Sequence, residues 1–210
     1  MQISAHIRCV DFPCPDALHE CYWIPSVEVD PGSIKVILVS ETSACEPADN
    51  YYTGGAALFA RTTLQAFQEA GAGISNFDDL LAMGIYLTTA VKCGKSGYAV
   101  ATNTILNCSF ILERELALFP AVQAYLLMGD VAIKALNAIA KRQGEPRVIP
   151  AGSTYKIRDG EFTYRGRRVF PSYLQAGPSY GIEKSKQRMI AHDIANALSI
   201  ASNAQKALSK

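Results

Sequence analysis

Three short apolar runs, set apart by segments of helical period, limit what this chain can fold into more than any other feature. "IKVILVS" (Ile34–Ser40) follows the turn pair Pro31-Gly32, "IYLTTAV" (Ile85–Val91) follows Gly84, and "VQAYLLMG" (Val122–Gly129) follows Pro120. Runs this short, continuously apolar and rich in β-branched residues, read as strands buried on both faces. Between them lie helical patterns over Thr62–Ala70 and Thr104–Leu118, and a short helix "FDDLLAMG" that Ser75 or Asn76 can cap. "DVAIKALNAIAKRQG" reads as a helix from Asp130 to its stop at Gly144, and a last helix covers Glu183–Ala201. Asp159-Gly160 and Arg165-Gly166 predict hairpin turns in the segment 153–173. The expectation is an α/β fold: a three-layer α/β/α sandwich with a four-stranded, mainly parallel central sheet. At 210 residues the chain suits a single domain, 1–210.

Parallel sheets place chemistry beyond the carboxyl ends of their strands. Glu41, Thr88, Thr89 and the residues after Tyr173 fall at such ends. In "VILVSETSACEP" a carboxylate follows a buried strand directly, which marks Glu41 as a candidate for catalysis rather than for solubility.

Charge is near balance over the whole chain but unevenly distributed. Residues 1–50 carry eight acids against Arg8 and Lys35, whereas 141–188 carry eleven bases and four acids. A basic C-terminal third fits a phosphate-binding face as well as an ordinary solvated surface. There is no apolar run of about 18 residues to cross a membrane. The first residues, "MQISAHIRCVDFPCP", lack a signal-peptide layout, so a cytoplasmic location is expected. In that reducing compartment the six cysteines are not expected to form disulfides. Cys9, Cys14 and Cys21 crowd the N-terminal segment and suggest a metal site closed by a distant pair.

Four pieces in order resemble the uracil-DNA glycosylase superfamily, most of all its iron–sulfur-containing, thermophile-type branch. "SETSACEPADNYYTGGAALF" stands in the place of the family's Gly-Glu-x-Pro-Gly loop and its later aromatic. "YLTTAVKC" resembles the strand that ends in Thr-Asn and leads to Lys-Cys. "ILNCSFILERELALFPAVQAYLLMGDVAIKAL" resembles a Cys-bearing helix, a strand and a Leu-Gly-x-x-Ala helix. "VFPSYLQAGPSYGIEKSKQRM" stands in the place of the Pro-Thr-x-His-Pro loop and the basic helix after it.

The resemblance implies a [4Fe–4S] cluster on four thiolates, with zinc as the alternative metal. Cys93 and Cys108 match the later pair of ligands. Cys14 is the best match for the first pair, with Cys21 preferred over Cys9 as its partner, and Cys45 reads as a pocket residue. The resemblance gives Glu41 the role of positioning water or steadying a sugar cation, with Ser40, Thr42, Phe59, Thr89 and Gln175 around the base. Tyr51 and Tyr52 are alternative stacking rings. The family's other catalytic residues are replaced: Thr89 stands for its Asn, and Leu174, which cannot donate a hydrogen bond, for its His. For DNA contact the loop and basic helix offer Ser179, Tyr180 as a wedge, and Lys184, Lys186 and Arg188, with Arg165, Arg167 and Arg168 able to extend that face. His6, His19 and His192 match no catalytic position and read as structural. The functional expectation is a monomeric DNA-repair glycosylase that excises uracil or another deaminated base. A catalytically inactive, nucleic-acid-binding iron–sulfur relative is the alternative, and a redox or iron-sensing role without nucleic acid is a third reading.

Overall fold

Every residue of the Ile85–Val91 run is buried, as a strand covered on both faces requires. The computed structural model describes residues 1–54 and 57–208, leaving aside the side chains of Pro178, Ser179 and 203–208. Its strands are β1 (Ala17–Leu18), β2 (Val36–Thr42), β3 (Ile85–Val91), β4 (Gly94–Lys95), β5 (Ala124–Met128), β6 (Phe162–Tyr164) and β7 (Arg167–Ser172). Its helices are α1 (Leu58–Glu69), α2 (Phe77–Ala82), α3 (Thr102–Ala117), α4 (Asp130–Arg142), α5 (Thr154–Ile157) and α6 (Lys184–Leu208).

The main sheet runs in the order β3-β2-β5-β7-β6. The first four strands are parallel, and β6 joins β7 antiparallel at the edge. The sheet therefore has five strands where four were expected. The extra one arises from the Arg165-Gly166 turn, whose two residues both take positive φ, 51° and 74°, as a tight two-residue hairpin demands. Asp159-Gly160 makes no second hairpin, because the residues before it coil into α5. β1 and β4 form a separate antiparallel pair that ties the N-terminal segment to the stretch after β3.

Side chains alternate across the sheet and split the core in two. Ile37, Val39, Tyr86, Tyr125, Leu127 and Val169 pack on one side with α3 and α4. Val36, Leu38, Leu87, Leu126 and Phe170 pack on the other with α1, α2 and α6. Asn76, not Ser75, caps α2, its side chain accepting from the Asp79 amide while Asp79 bonds back to Asn76 N–H.

Because β2 lies between β3 and β5, the chain leaves it toward one neighbour and later returns to the other. This topological switch opens a crevice beyond the carboxyl end of β2, where Glu41 stands. A wholly buried ion pair braces that end of the sheet: Lys92, just past β3, meets Glu115 of α3 with both side chains inaccessible. Lys92 Nζ also donates to Thr88 Oγ1 and the Thr89 carbonyl, and Tyr86 Oη and Thr88 Oγ1 donate to Glu115 Oε1 at 2.8 Å each.

A pair this deep, stripped of one partner, leaves an uncompensated charge. Lys92→Met and Glu115→Leu are each expected to cost about 3–5 kcal/mol in denaturant unfolding, and the double variant much less than their sum. Additive losses would show that the two charges are not coupled.

Candidate functional site

The crevice holds a cavity of about 70 Å³ lined by residues from several separate stretches of chain. β2 contributes Ser40, Glu41 and Thr42, and β3 contributes Thr88 and Thr89. The segment before α1 gives Asp49, Asn50 and Tyr51, the first turn of α1 gives Phe59, and the loop after β7 gives Leu174 and Ala176. Trp23, Pro25 and Lys95 complete the wall. The structure thus brings together the expected Ser40, Glu41, Thr42, Phe59 and Thr89. It leaves Gln175 out of the lining, and of the two alternative rings only Tyr51 is in it.

Glu41 lies against Gly129 at the start of α4. A Cβ on that glycine would stand 2.6 Å from Glu41 Oε1, and Gly129 takes φ 96°, so both its bareness and its left-handed backbone are used. Burial pushes the Glu41 carboxyl above its ordinary value, against the opposing pull of Lys95 and of the Val131 amide at the start of α4. Lys95 Nζ stands 4.0 Å from Glu41 Oε2. The result is a half-buried acid with one cation beside it, poised to accept a proton or face a positive charge.

The polar side chains behind the cavity are largely committed to each other. Gln175 is fully buried, and its Nε2 donates to Tyr51 Oη at 2.9 Å and to Thr63 Oγ1 at 3.4 Å. Tyr51 in turn donates to Ser40 Oγ at 2.9 Å, and Ser40 to the Thr88 carbonyl at 3.3 Å. Gln175 thus stands behind the cavity lining in which the sequence expectation put it, and its Oε1 meets no donor among the described residues. Asn50 clamps both backbone groups of Ala44 at 3.0 Å, fixing the loop after β2. Leu174 presents only carbon.

Trp23 had no sequence signal beyond being the chain's single tryptophan. Its backbone N–H donates to the Lys92 carbonyl at 2.7 Å, which hangs it from the end of β3. Its Nε1 is buried and meets no acceptor among the described residues. Such an orphan costs about 1–3 kcal/mol, which a ligand or water can return.

The cysteines divide differently from the sequence expectation. Cys21 is bonded to Cys45, their Cα atoms 4.6 Å apart, so a disulfide forms where none was expected. Cys21 is thereby removed from the candidate ligands. The approach works because Gly94 of β4 has no side chain: a Cβ there would stand 2.6 Å from Cys45 Sγ and 2.8 Å from Cys21 Cβ. Cys9, Cys14, Cys93 and Cys108 are free. All four line a second cavity, of about 200 Å³, walled also by Arg8, His19, Tyr22, Asn107 and Arg114. The Lys92 amide points at Cys108 Sγ at 3.1 Å, and His19 Nε2 bonds the Cys14 carbonyl at 2.9 Å, which gives that histidine its structural role. Burial, with a smaller push from the neighbouring cysteines, raises the Cys93 thiol to about 12 and Cys108 to about 11. Among the described residues no three His, Cys, Asp or Glu side chains are gathered to hold a single metal ion.

The expected nucleic-acid face is only partly assembled. Tyr180 is 3% exposed and donates to Glu69 at 2.7 Å, so it is core and not a wedge. The Ser179 side chain lies outside the described residues. Lys184 and Arg188 are exposed, and Lys186 pairs with Glu183 at 2.7 Å. Arg167 and Arg168 bond carbonyls of Val122, Phe162 and Gly160 at the amino end of β7, the far end of the sheet from Glu41. They extend no face around the cavity. No helix among the described residues is long and apolar enough to cross a membrane.

Compared with known proteins, the chain is 29% identical over 100 residues to the Type-5 uracil-DNA glycosylase of Thermus thermophilus. The match covers 48% of this chain and 46% of that protein, so it spans about half the length of the curated relative. No family model matches. The match supports the superfamily resemblance read from the motifs and is consistent with the thermophile-type branch. The helix-flanked, mainly parallel sheet agrees with the fold that the resemblance implied.

A carboxyl whose value is raised on folding favours the folded state most at low pH, and that advantage is lost as pH rises through the folded value. Glu41→Gln is therefore expected to raise the melting temperature at neutral pH, with the gain shrinking to nothing below the ordinary carboxylate range. Melting curves between pH 4 and 8 check it, and a lowered neutral-pH melting temperature would contradict it.

Proposed function

We propose, taking likeness to the uracil-DNA glycosylase superfamily as premise, that this chain hydrolyses the N-glycosidic bond of uracil or another deaminated base in DNA. The observation that carries the reading is Glu41, a half-buried carboxylate at the topological switch of a parallel sheet, lining a cavity of about 70 Å³. Such a base must leave the stack and enter a pocket. Phe59 and Tyr51 give that pocket aromatic surface, and Ser40, Thr42 and Thr89 give it hydroxyls. As the bond breaks, positive charge grows on the sugar and negative charge on the base. Glu41 steadies the first and takes the proton of the attacking water. Lys95 beside it keeps enough of the carboxyl ionised for that work.

The four free thiols fit a [4Fe–4S] cluster. Cys9 and Cys14 would be the N-terminal ligands and Cys93 and Cys108 the later pair. That all four line one cavity is what supports this ligand set. Arg8 and Arg114 in the wall offset the negative charge of four thiolates. When bound, the cluster supplies a cross-link between the N-terminal segment and the β3–α3 stretch, and the chain's own residues do the chemistry. Lys184 and Arg188 are the phosphate contacts of this reading. A catalytically silent DNA-binding relative is the second reading, and Leu174, a hydrocarbon where the family has a donor, favours it.

A base-release assay on single- and double-stranded oligonucleotides carrying uracil, hypoxanthine or xanthine decides between them. Release is expected, with Glu41→Gln slower by about 10²-fold or more. DNA binding without release from any substrate would favour the silent relative. For the cluster, Cys9→Ala, Cys14→Ala, Cys93→Ala and Cys108→Ala are each expected to lose iron and melt earlier, whereas Cys21→Ala keeps its iron. Iron lost from Cys21→Ala but retained by Cys9→Ala would overturn the ligand set.

A further inference from the structure

We infer that Trp23 supplies the donor that Leu174 cannot, its Nε1–H bonding a ring carbonyl oxygen of the base in the cavity and meeting the charge that grows there as the base departs. The inference rests on the base-excising reading and adds a residue that the family motifs do not contain.

The geometry points to it as the one buried side-chain donor of the wall left without a partner among the described residues: Lys95 is turned to Glu41 and the Tyr98 carbonyl, and Thr42 is partly exposed. Ser40, Tyr51, Asn50 and Thr88 are bonded to one another, to Gln175, Lys92 and Glu115, or to the backbone. Thr89 shares its hydroxyl with Ser43 at 3.4 Å, and Asp49 accepts from the Phe59 amide. Trp23 lines the same cavity and keeps a buried N–H without a partner. Indole is a donor only, so the acceptor must come from whatever enters. Its position is also held: the backbone bond to Lys92, the disulfide two residues before it and Pro25 two residues after restrain the segment. A fixed donor beside the place where charge develops is the kind of group that lowers a barrier without reorganising.

The bonds balance. The C–N glycosidic bond breaks and its electron pair stays with the base. The water oxygen forms the new bond to C1′, its proton passes to the Glu41 carboxylate, and the base takes a proton from solvent. The indole proton is never transferred, so Trp23 stabilises charge and does not act as an acid. The acceptor requirement also sets the ligand class. A base with a lactam carbonyl on its six-membered ring, as in uracil, hypoxanthine or xanthine, offers an acceptor, whereas an exocyclic amino group at the same point offers none.

The test uses Trp23→Phe, which keeps an aromatic body and removes only the N–H, in the full chain. Expected is a fall in kcat of about ten- to a hundredfold, with oligonucleotide affinity and melting temperature near those of the parent. Because the chain has one tryptophan, a sample with ¹⁵N-labelled indole shows one indole resonance, and free uracil, hypoxanthine or xanthine should shift it. This second readout needs no variant to fold. Wild-type kcat in Trp23→Phe together with an unmoved resonance would overturn the inference. An indole shift from a chain that releases no base would sink the base-excising reading but leave Trp23 as a base-binding donor. Neither shift nor release would reject both.

Discussion

The buried Lys92–Glu115 pair is the contact on which both cavities depend. From its ammonium, Lys92 holds Thr88 and the Thr89 carbonyl, which face the Glu41 cavity. From its backbone it donates to Cys108 in the thiol cavity and accepts from Trp23 in the other. Glu115 lies on the same helix as Cys108, two turns further along. A charge pair without solvent offers little net stability over a hydrocarbon pair of the same shape. What it provides is direction: four hydrogen bonds at fixed angles that a leucine cannot supply. The end of β3 is thereby held relative to α3, and the two sites share one anchor.

What the sequence made legible was what local rules decide. The β2, β3 and β5 runs were readable because burial on both faces leaves no polar position. A cap for α2 was readable at Ser75 or Asn76, and the capping box that selects Asn76 emerged only with the structure. Glu41 was readable because strand ends of parallel sheets face the crevice. Closure between distant segments was not. Nothing in the spacing of Cys21 and Cys45 says that Gly94 will clear a path between them, and the expectation of a reducing environment pointed the other way. Tyr180 looked like a wedge because its loop is polar, yet Glu69 on α1 captures its hydroxyl. Trp23 belongs to a segment without periodic pattern, and only the tie to Lys92 carries it to the cavity.

The same limit explains the basic C-terminal third. Its charges are close in sequence, but β7 carries Arg167 and Arg168 at the amino end of the sheet while α6 begins with Lys184 beyond the carboxyl end. Arg158 is drawn inward to Asp193 at 2.6 Å. The single strand β7 separates these groups by the full height of the sheet. A charge count along the sequence therefore overstates the field at any one surface, because screening over a Debye length of about 8–10 Å divides what the count adds together.

The departures from the family motifs then form one pattern. On the base-excising reading, Thr89 in place of an amide and Leu174 in place of an imidazole remove donors from the base side of the cavity, while the carboxylate on the sugar side is kept. A site with only the carboxylate could steady the sugar cation but would leave the base anion facing hydrocarbon, and the two charges develop in the same event. Either a donor has moved in from elsewhere or the bond is not broken at all. The buried, unpartnered N–H of Trp23 is where the structure offers the first alternative, and it comes from the N-terminal segment that the disulfide and the thiol cavity hold in place. On that reading the N-terminal segment shapes the base pocket, and the cysteines around it bear on catalysis through position alone.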